Sequence, residues 1–209
     1  MKEKLISCVI GYFLGCFLTA ELVAKKYTGK GASEIGEGNP GMANMMIHLG
    51  FVPGLLTVIG DVSKCLIAMF LARYLFPEAD RSIMFFAGFG ATIGHCFPFW
   101  RKFKGGKGVA TTCIMIVIYS FLWGAVSDLA GAIVVLLTQY LNLAGPVPPL
   151  VFAIIMFVLK DYEVAIMSLI LGLLAVKLHW NFIAGIKDGT TEKTDVLGAI
   201  RNKLNKKKA

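Results

Sequence analysis

The sequence predicts an all-α integral membrane protein, a seven-helix bundle with its amino terminus outside and its carboxyl terminus in the cytoplasm. Three observations lead to this prediction. With 56% hydrophobic residues and a mean hydropathy of +0.71, the chain is too apolar for a soluble domain. Its apolar residues form segments close to the length of a membrane-spanning helix, which is about 20 residues. Basic residues collect between alternate segments, as they do on the cytoplasmic side of membrane proteins.

The seven apolar segments leave little chain for a soluble domain, so we expect a single membrane-embedded domain over residues 1–209. The first begins with Lys2 and Lys4, like a signal peptide, but no clear cleavage site of small residues follows, which favours a retained helix. The last three are short and poorly delimited. The predicted segments are residues 5–24, 51–76, 82–99, 109–127, 129–141, 147–159 and 164–178.

The distribution of basic residues orients these segments. With seven spans and an external amino terminus, one side receives 15 of the 21 lysines and arginines, which predicts that this side is cytoplasmic. These residues are Lys25, Lys26, Lys30, Arg101, Lys102, Lys104, Lys107, Lys177, Lys187, Lys193, Arg201, Lys203, Lys206, Lys207 and Lys208. The basic tail, about residues 187–209, is expected to contact anionic lipid headgroups.

The junction at residues 94–112 is the first candidate site. Arg101 and Lys102 are followed by Lys104-Gly105-Gly106-Lys107-Gly108, directly before an apolar segment. Amide groups at a helix start beside ammonium groups favour an anion, and glycine lets a phosphate approach the backbone closely. The spacing is not that of a Walker A loop. A basic loop that only fixes membrane orientation is the alternative.

A second candidate site is the polar segment 27–50. Such an irregular segment at a membrane edge must be buried in protein or face water. Its glycines and carboxamides are typical of exposed amides that bind phosphate, although simple turn formation would require the same residue types. The candidate residues are Gly36, Gly38, Asn39, Gly41 and Asn44.

Three ionisable residues in or beside apolar segments are further candidates. Asp61 and Lys64 are spaced i, i+3 on one helical face, where they can pair away from lipid as a structural ion pair or as a substrate contact. His179 follows the last segment, beside Trp180, either as an interfacial anchor or as a base or phosphate donor. His48 and His95 are interpreted as structural.

Several other functions are disfavoured. The five scattered cysteines indicate neither a disulfide framework nor a zinc site, and no soluble basic domain is present to bind nucleic acid. No motif marks a covalent nucleophile or a metal centre. A transfer reaction would therefore depend on positioning two substrates and stabilising negative charge. The sequence does not indicate protein partners.

Taken together, residues 36–44 (Gly-Glu-Gly-Asn-Pro-Gly-Met-Ala-Asn), the Asp61–Lys64 pair and the junction that ends Phe-Lys-Gly-Gly-Lys-Gly-Val-Ala-Thr at Thr111 resemble a known family. They are similar to the bacterial acyl-phosphate:glycerol-3-phosphate acyltransferases of the PlsY type. The resemblance extends in order along nearly the whole chain, and residues 103–111 carry its most specific part.

The resemblance implies a seven-helix enzyme of the bacterial inner membrane whose active site faces the cytoplasm. It would transfer a fatty acyl group from acyl phosphate to the 1-hydroxyl of glycerol 3-phosphate, giving lysophosphatidic acid and phosphate for phospholipid synthesis, with no cofactor or metal. In such a site Lys104 and His179 would be catalytic, and Thr111 would join the phosphate-binding residues. The substrate phosphate itself would help to take the hydroxyl proton.

The chain departs from the family pattern at several positions. Glu37 replaces a serine, and a carboxylate beside a phosphate site repels the ligand unless it pairs with a lysine. The other departures are Ala43 for threonine, Ile47 for arginine, Asn142 and Gly145 for serines, and Phe182 for asparagine. Three alternatives therefore stay open: a paralogue with another phosphorylated acceptor, an inactive relative, or a non-catalytic protein that binds lipid headgroups or transports anions.

Overall fold

The computed structural model describes residues 1–194, and every regular element in that range is a helix. Most of the predicted basic tail, from residue 195 onward, lies outside the described residues. The α-helices are α1 Lys2–Gly15, α2 Thr19–Thr28, α3 Met42–Leu49, α4 Phe51–Leu75, α5 Ser82–Cys96, α6 Val109–Tyr119, α7 Phe121–Thr138, α8 Val147–Val158, α9 Tyr162–Leu178 and α10 Trp180–Lys187. Short 3₁₀ helices cover Ala32–Glu34, Phe99–Arg101 and Leu141–Ala144.

Helices α1 and α5 approach each other closely because glycines spaced four residues apart line both contact faces. A Cβ atom added to Gly11 would lie 2.0 Å from the carbonyl oxygen of Ala87, and one added to Gly94 would lie 2.1 Å from that of Tyr12. Small residues at this spacing let helix backbones meet inside a membrane. The contact fixes the end of α5, from which the 94–112 junction continues.

The predicted fourth and fifth segments were wrong in their boundaries. The chain leaves the helix at Ser120, whose backbone is extended, and α7 then packs back along α6. A Cβ atom on Gly124 would lie 2.4 Å from the carbonyl oxygen of Ile116, which shows how tightly this hairpin closes. The apolar run 109–127 therefore contains a helical hairpin. Close packing of the backbones at Gly124 stabilises the reversal at Ser120.

Several helices are long and apolar enough to cross a membrane. Among the described residues, five candidate spans are Lys2–Thr28, Phe51–Leu75, Ser82–Arg101, Phe121–Thr138 and Leu141–Val158. The pair α9 and α10, bent by 65°, would make a sixth. Helix α6 has only 11 residues, about 16 Å at 1.5 Å per residue. The predicted count of seven spans thus depends on α6.

Polar side chains gather at the two ends of the bundle. At one end, Lys4 Nζ lies 2.9 Å from Asp80 and also contacts Glu163, while the Tyr119 hydroxyl donates to Asp161. The end at Lys4 is called the opposite end. Residues 30–41 and 97–108 form the other end of the bundle, which we call the glycine-loop end. There Trp100 Nε1 donates to the Cys16 carbonyl at 2.8 Å, and Arg101 forms a largely buried ion pair with Glu21 at 2.8 Å.

The Arg101–Glu21 pair adds to what charge counting predicted for Arg101. Charge counting used this arginine only to orient the protein, whereas in the structure it also ties the glycine-loop end to α2. The apolar core between the two ends is formed by side chains such as Phe85, Met115 and Phe152, all fully buried. An apolar core thus separates the two polar ends of the bundle.

Candidate functional site

The glycine loop, residues 104–108, folds back onto the end of α5 and does not extend freely from it. Gly105 N–H donates to the Cys96 carbonyl and Gly106 N–H to the His95 carbonyl, each at 3.0 Å. Lys102 and Phe103 adopt positive φ angles of 52° and 59° to complete the turn. The amides of Gly105 and Gly106, predicted to face a phosphate, are thus used to build the loop.

A cavity of about 290 Å³ opens between the two predicted polar segments and the end of α9. The two candidate sites of the sequence, residues 94–112 and 27–50, thus contribute to one cavity. The lining residues are Glu37, Gly38, Asn39, Cys96, Phe97, Phe103, Lys104, Gly105, Gly106, Lys107 and Leu178. Six of them, namely Gly38, Asn39, Lys104, Gly105, Gly106 and Lys107, were predicted as phosphate-binding residues.

The two lysines give this cavity its positive charge. Lys107 Nζ lies 4.2 Å from the ring centroid of Phe182, which holds the ammonium by a cation–π contact. Burial lowers the pKa of Lys107 from 10.5, and the nearby Glu37 carboxylate opposes part of that shift. The ammonium is therefore partly dehydrated before any anion arrives, which strengthens its attraction for one.

The turn at residues 36–44 is organised by Asn44. This buried carboxamide accepts from Glu37 N–H at 3.1 Å and donates to the carbonyls of Ile35 and Asn39 at 2.8 and 2.9 Å. Gly36 has a φ of +51° and packs against the His48 ring, where a Cβ atom would lie 2.1 Å from His48 Nε2. Asn44 and Gly36 thus shape the turn, while Gly38 and Asn39 line the cavity.

Beneath the glycine loop lies a buried network that includes the predicted Asp61–Lys64 pair. Lys64 Nζ lies 2.9 Å from Asp61 Oδ1 and 2.8 Å from His95 Nδ1, and it also donates to the Phe17 carbonyl. His95 Nδ1 also lies 3.4 Å from Asp61 Oδ1, so the ion pair holds this edge of the ring and leaves Nε2 at the other edge. That edge of the ring packs against Gly106, where a Cβ atom would lie 2.0 Å from Nε2.

The pairing of Asp61 with Lys64 is therefore confirmed, and neither side chain lines the cavity. Their structural role is to brace His95 under the glycine loop. The interpretation of His95 as a purely structural residue missed this connection. The sequence did contain an indication of it, because ionisable residues within apolar segments usually pair with one another.

His179 lies between α9 and α10 and is 3% exposed. Its Nδ1 lies 2.8 Å from the Ala175 carbonyl, which can only accept, so Nδ1 carries a proton and Nε2 is the chemically available nitrogen. Gly145 packs against the ring, with a Cβ position 2.5 Å from Cε1. Lys107 lies close enough to interact electrostatically with His179, although the imidazole itself does not line the cavity.

The remaining predicted residues lie at the margin of the site. Thr111 is fully buried and donates to the Gly108 carbonyl at 3.0 Å, so its hydroxyl closes the first turn of α6. Gly108 supplies the left-handed conformation, φ +76°, that starts this helix. Gly41 precedes α3. Within residues 1–194, no group of three or more His, Cys, Asp or Glu side chains is arranged to hold a metal ion.

Comparison with known proteins shows the family of this chain. The family model described as glycerol-3-phosphate acyltransferase matches residues 5–189. The chain belongs to the glycerol-3-phosphate acyltransferase family. The similarity to PlsY-type enzymes, based on residues 36–44 and 103–111, is thereby confirmed.

Curated relatives show the same extent of similarity. "Glycerol-3-phosphate acyltransferase 1" of Lactobacillus johnsonii is 36% identical over 202 residues, covering 97% of this chain and 98% of the relative. "Glycerol-3-phosphate acyltransferase 2" of Thermotoga maritima is 31% identical over 188 residues, covering 90% and 95%. Family membership therefore rests on the whole chain and not on the loops alone.

Two solved structures have the same fold. The glycerol 3-phosphate form of PlsY, described as an integral membrane glycerol 3-phosphate acyltransferase, superposes with a TM-score of 0.80 at 27% identity, covering 94% of this chain and 98% of PlsY. The lysophosphatidic acid form gives a TM-score of 0.77, covering 93% and 96%. The predicted fold class, an all-α integral membrane protein, agrees with these structures.

Proposed function

We propose that the protein transfers a fatty acyl group from acyl phosphate to the 1-hydroxyl of glycerol 3-phosphate, releasing lysophosphatidic acid and inorganic phosphate. Family membership supports an acyltransferase that acts on glycerol 3-phosphate. The observation that carries the proposal is the cavity itself. It places Lys104 and Lys107 beside the apolar side chains of Phe97, Phe103 and Leu178.

These residues divide the work between charge and apolar contact. Both substrates carry phosphate, and each charge-assisted hydrogen bond from a lysine contributes about 1.5–3 kcal/mol. Phe97, Phe103 and Leu178 give the start of an acyl chain an apolar surface at the edge of the bundle. We therefore propose that Lys104 holds the reacting phosphate, with Lys107 as the second cation.

The reaction needs no covalent intermediate on the protein. The acceptor hydroxyl attacks the acyl carbonyl, the new C–O ester bond forms, and the bond between the carbonyl carbon and the phosphate oxygen breaks. The hydroxyl proton leaves with the released phosphate. Positioning and neutralisation of the phosphate charge are then the main contributions of the protein.

His179 is proposed as a catalytic group acting through Nε2. Its Nδ1 proton is committed to Ala175, so Nε2 can accept a proton when the ring is neutral or donate to phosphate when it is charged. Burial of the ring favours the neutral form, and the nearby Lys107 ammonium adds to this effect. His179→Gln, which keeps a polar group of similar reach, is expected to retain less activity than wild type but more than His179→Ala.

We also propose the finer topology: seven passes of a bacterial inner membrane, with the amino terminus outside and the glycine-loop end in the cytoplasm. The positive charge near the glycine-loop end supports this orientation. Labelling with a membrane-impermeant maleimide tests it in a variant with Cys8 and Cys113 replaced by serine, because these two thiols are partly exposed whereas Cys16, Cys65 and Cys96 are buried. Glu78→Cys should react in intact cells, and Lys30→Cys only after permeabilisation. The reverse pattern would contradict the orientation.

The decisive experiment for function is an assay with purified protein, acyl phosphate and a panel of phosphorylated acceptors. We expect lysophosphatidic acid from glycerol 3-phosphate, and its loss in Lys104→Ala. Lys102→Asn is the matched control, because Lys102 is an adjacent lysine outside the cavity lining and asparagine tolerates its positive φ angle.

Each other outcome indicates a specific alternative. Product with a different acceptor only would identify a paralogue with another specificity. Anion flux in proteoliposomes without acyl transfer would favour a transporter. No product from folded wild-type protein, together with activity gained by Glu37→Ser combined with Ile47→Arg, would identify an inactive relative.

A further inference from the structure

One carboxylate lines the lysine cavity. Of its eleven lining residues, Glu37 is the one acidic side chain, and it faces the same space as Lys104 and Lys107. A carboxylate in that position weakens the binding of a phosphate by charge repulsion. A site for phosphate alone would bind its ligand more tightly without this charge. The carboxylate therefore suits a ligand that carries hydrogen-bond donors as well as a phosphate.

The backbone of Glu37 is held firmly by its surroundings. The glycines on either side have positive φ angles, +51° at Gly36 and +70° at Gly38, and Asn44 accepts the Glu37 N–H. Asn44 in turn spans the turn through its bonds to Ile35 and Asn39. The backbone at Glu37 is therefore fixed, and its exposed side chain reaches the cavity from this turn.

The hydrogen-bonding groups of the cavity are complementary to a phosphorylated alcohol. The two ammonium groups only donate, and they suit phosphate oxygens. An ionised carboxylate only accepts, and it suits hydroxyl protons. The amides of Gly105 and Gly106 are already bonded to α5. The cavity thus has a donor side, formed by the lysines, and an acceptor side formed chiefly by Glu37.

The Glu37 carboxylate also acts on Lys107. It opposes the effect of burial on the pKa of this lysine, so it helps to keep the ammonium charged. Glu37 and the Phe182 ring both lie close to the Lys107 ammonium. The two charges therefore coexist in one cavity without cancelling its net attraction for phosphate, because Lys104 remains as a second cation.

We propose that Glu37 accepts hydrogen bonds from the hydroxyl groups of the acceptor whose phosphate binds Lys104 and Lys107, and so selects a phosphorylated polyol over a bare phosphate. This inference rests on the proposed function and adds the acceptor's orientation to it. The phosphate lies on the lysine side, and the hydroxyl-bearing carbons extend toward the 36–38 turn.

Two ligands separate this role from simple repulsion. Purified protein is tested for thermal protection by glycerol 3-phosphate and by inorganic phosphate, neither of which requires turnover. In Glu37→Ala we expect binding of glycerol 3-phosphate to weaken roughly 10- to 100-fold, the range for losing a hydrogen bond to a charged group. Binding of inorganic phosphate should stay unchanged or tighten, because a repelling charge has gone.

Two further variants serve as controls. Glu37→Gln keeps one carbonyl acceptor and should recover part of the lost affinity for glycerol 3-phosphate. Glu34→Gln removes an acidic charge from the same segment, outside the cavity lining, and keeps an acceptor for Gly31 N–H. It should leave both affinities at the wild-type values.

The other outcomes overturn the inference. Tighter binding of both ligands in Glu37→Ala would show that the carboxylate only repels anions, and weaker binding of both would show a role in folding the turn. Equal affinity of wild-type protein for the two ligands would also refute it. Wild-type protein that binds glycerol 3-phosphate in preference to inorganic phosphate but transfers no acyl group would instead refute the proposed reaction. The role of Glu37 in binding would then still stand.

Discussion

Removing the charge of Asp61 should damage the protein more than removing Asp61 and Lys64 together. In Asp61→Asn the buried ammonium of Lys64 loses its counterion but keeps its contacts with the Phe17 carbonyl and His95. An uncompensated buried charge costs about 3–5 kcal/mol. For a chain of this size each kilocalorie corresponds to about 2–4 °C in Tm, so we expect a decrease of about 6–20 °C.

The double variant Asp61→Asn, Lys64→Met removes both charges and keeps an unbranched side chain at position 64. Replacing a buried ion pair by uncharged groups is often nearly neutral, so the Tm should return most of the way toward wild type. Acyl transfer should not recover in parallel, because the support of His95 by Lys64 is lost and His95 holds Gly106 in place.

The measurement is thermal unfolding of the purified protein in detergent, with the single variants Asp61→Asn and Lys64→Met completing the cycle. A double variant at least as unstable as the sum of the two single ones would refute the reasoning. It would mean that the two side chains contribute independently, and that the network under the glycine loop is not held by their pairing.

Three further predictions follow from individual contacts. Gly106→Ala places a methyl group 2.0 Å from His95 Nε2 and should cost about 1–3 kcal/mol of stability together with most of the activity, measured by Tm and kcat. Gly94→Val should separate α1 from α5 at the Tyr12 carbonyl and lower the free energy of unfolding by a similar amount, again measured by Tm. Because burial lowers the pKa of Lys107 below 10.5, phosphate affinity should fall as pH rises through that lowered value, and Lys107→Arg should keep its affinity to higher pH.

Local sequence signals were sufficient for much of the site. The lysines and glycines of residues 104–108, and the glycines and asparagines of residues 36–44, marked the two segments that line the cavity. The pairing of Asp61 with Lys64 followed from helical spacing alone. These features depend on neighbouring residues, which a sequence shows directly.

The hairpin at Ser120 could not be predicted in this way. Residues 109–127 are continuously apolar, with no proline and one glycine, so nothing local marks the reversal. It is stabilised by the approach of Gly124 to the backbone of α6, a contact between two helices. The engagement of the Gly105 and Gly106 amides with α5 was hidden for the same reason, since it depends on how the loop folds back.

The short helix α6 has a consequence for the lipid around the enzyme. It begins two residues after Lys107, at the cavity, and ends at Tyr119, which bonds to Asp161 at the opposite end. Its length of about 16 Å is roughly half the 30 Å hydrocarbon thickness of a bilayer. If α6 is one of the seven proposed spans, the lysine cavity would lie below headgroup level, and the bilayer would thin beside it or admit water. Turnover in vesicles would then depend on the chain length of the host lipid.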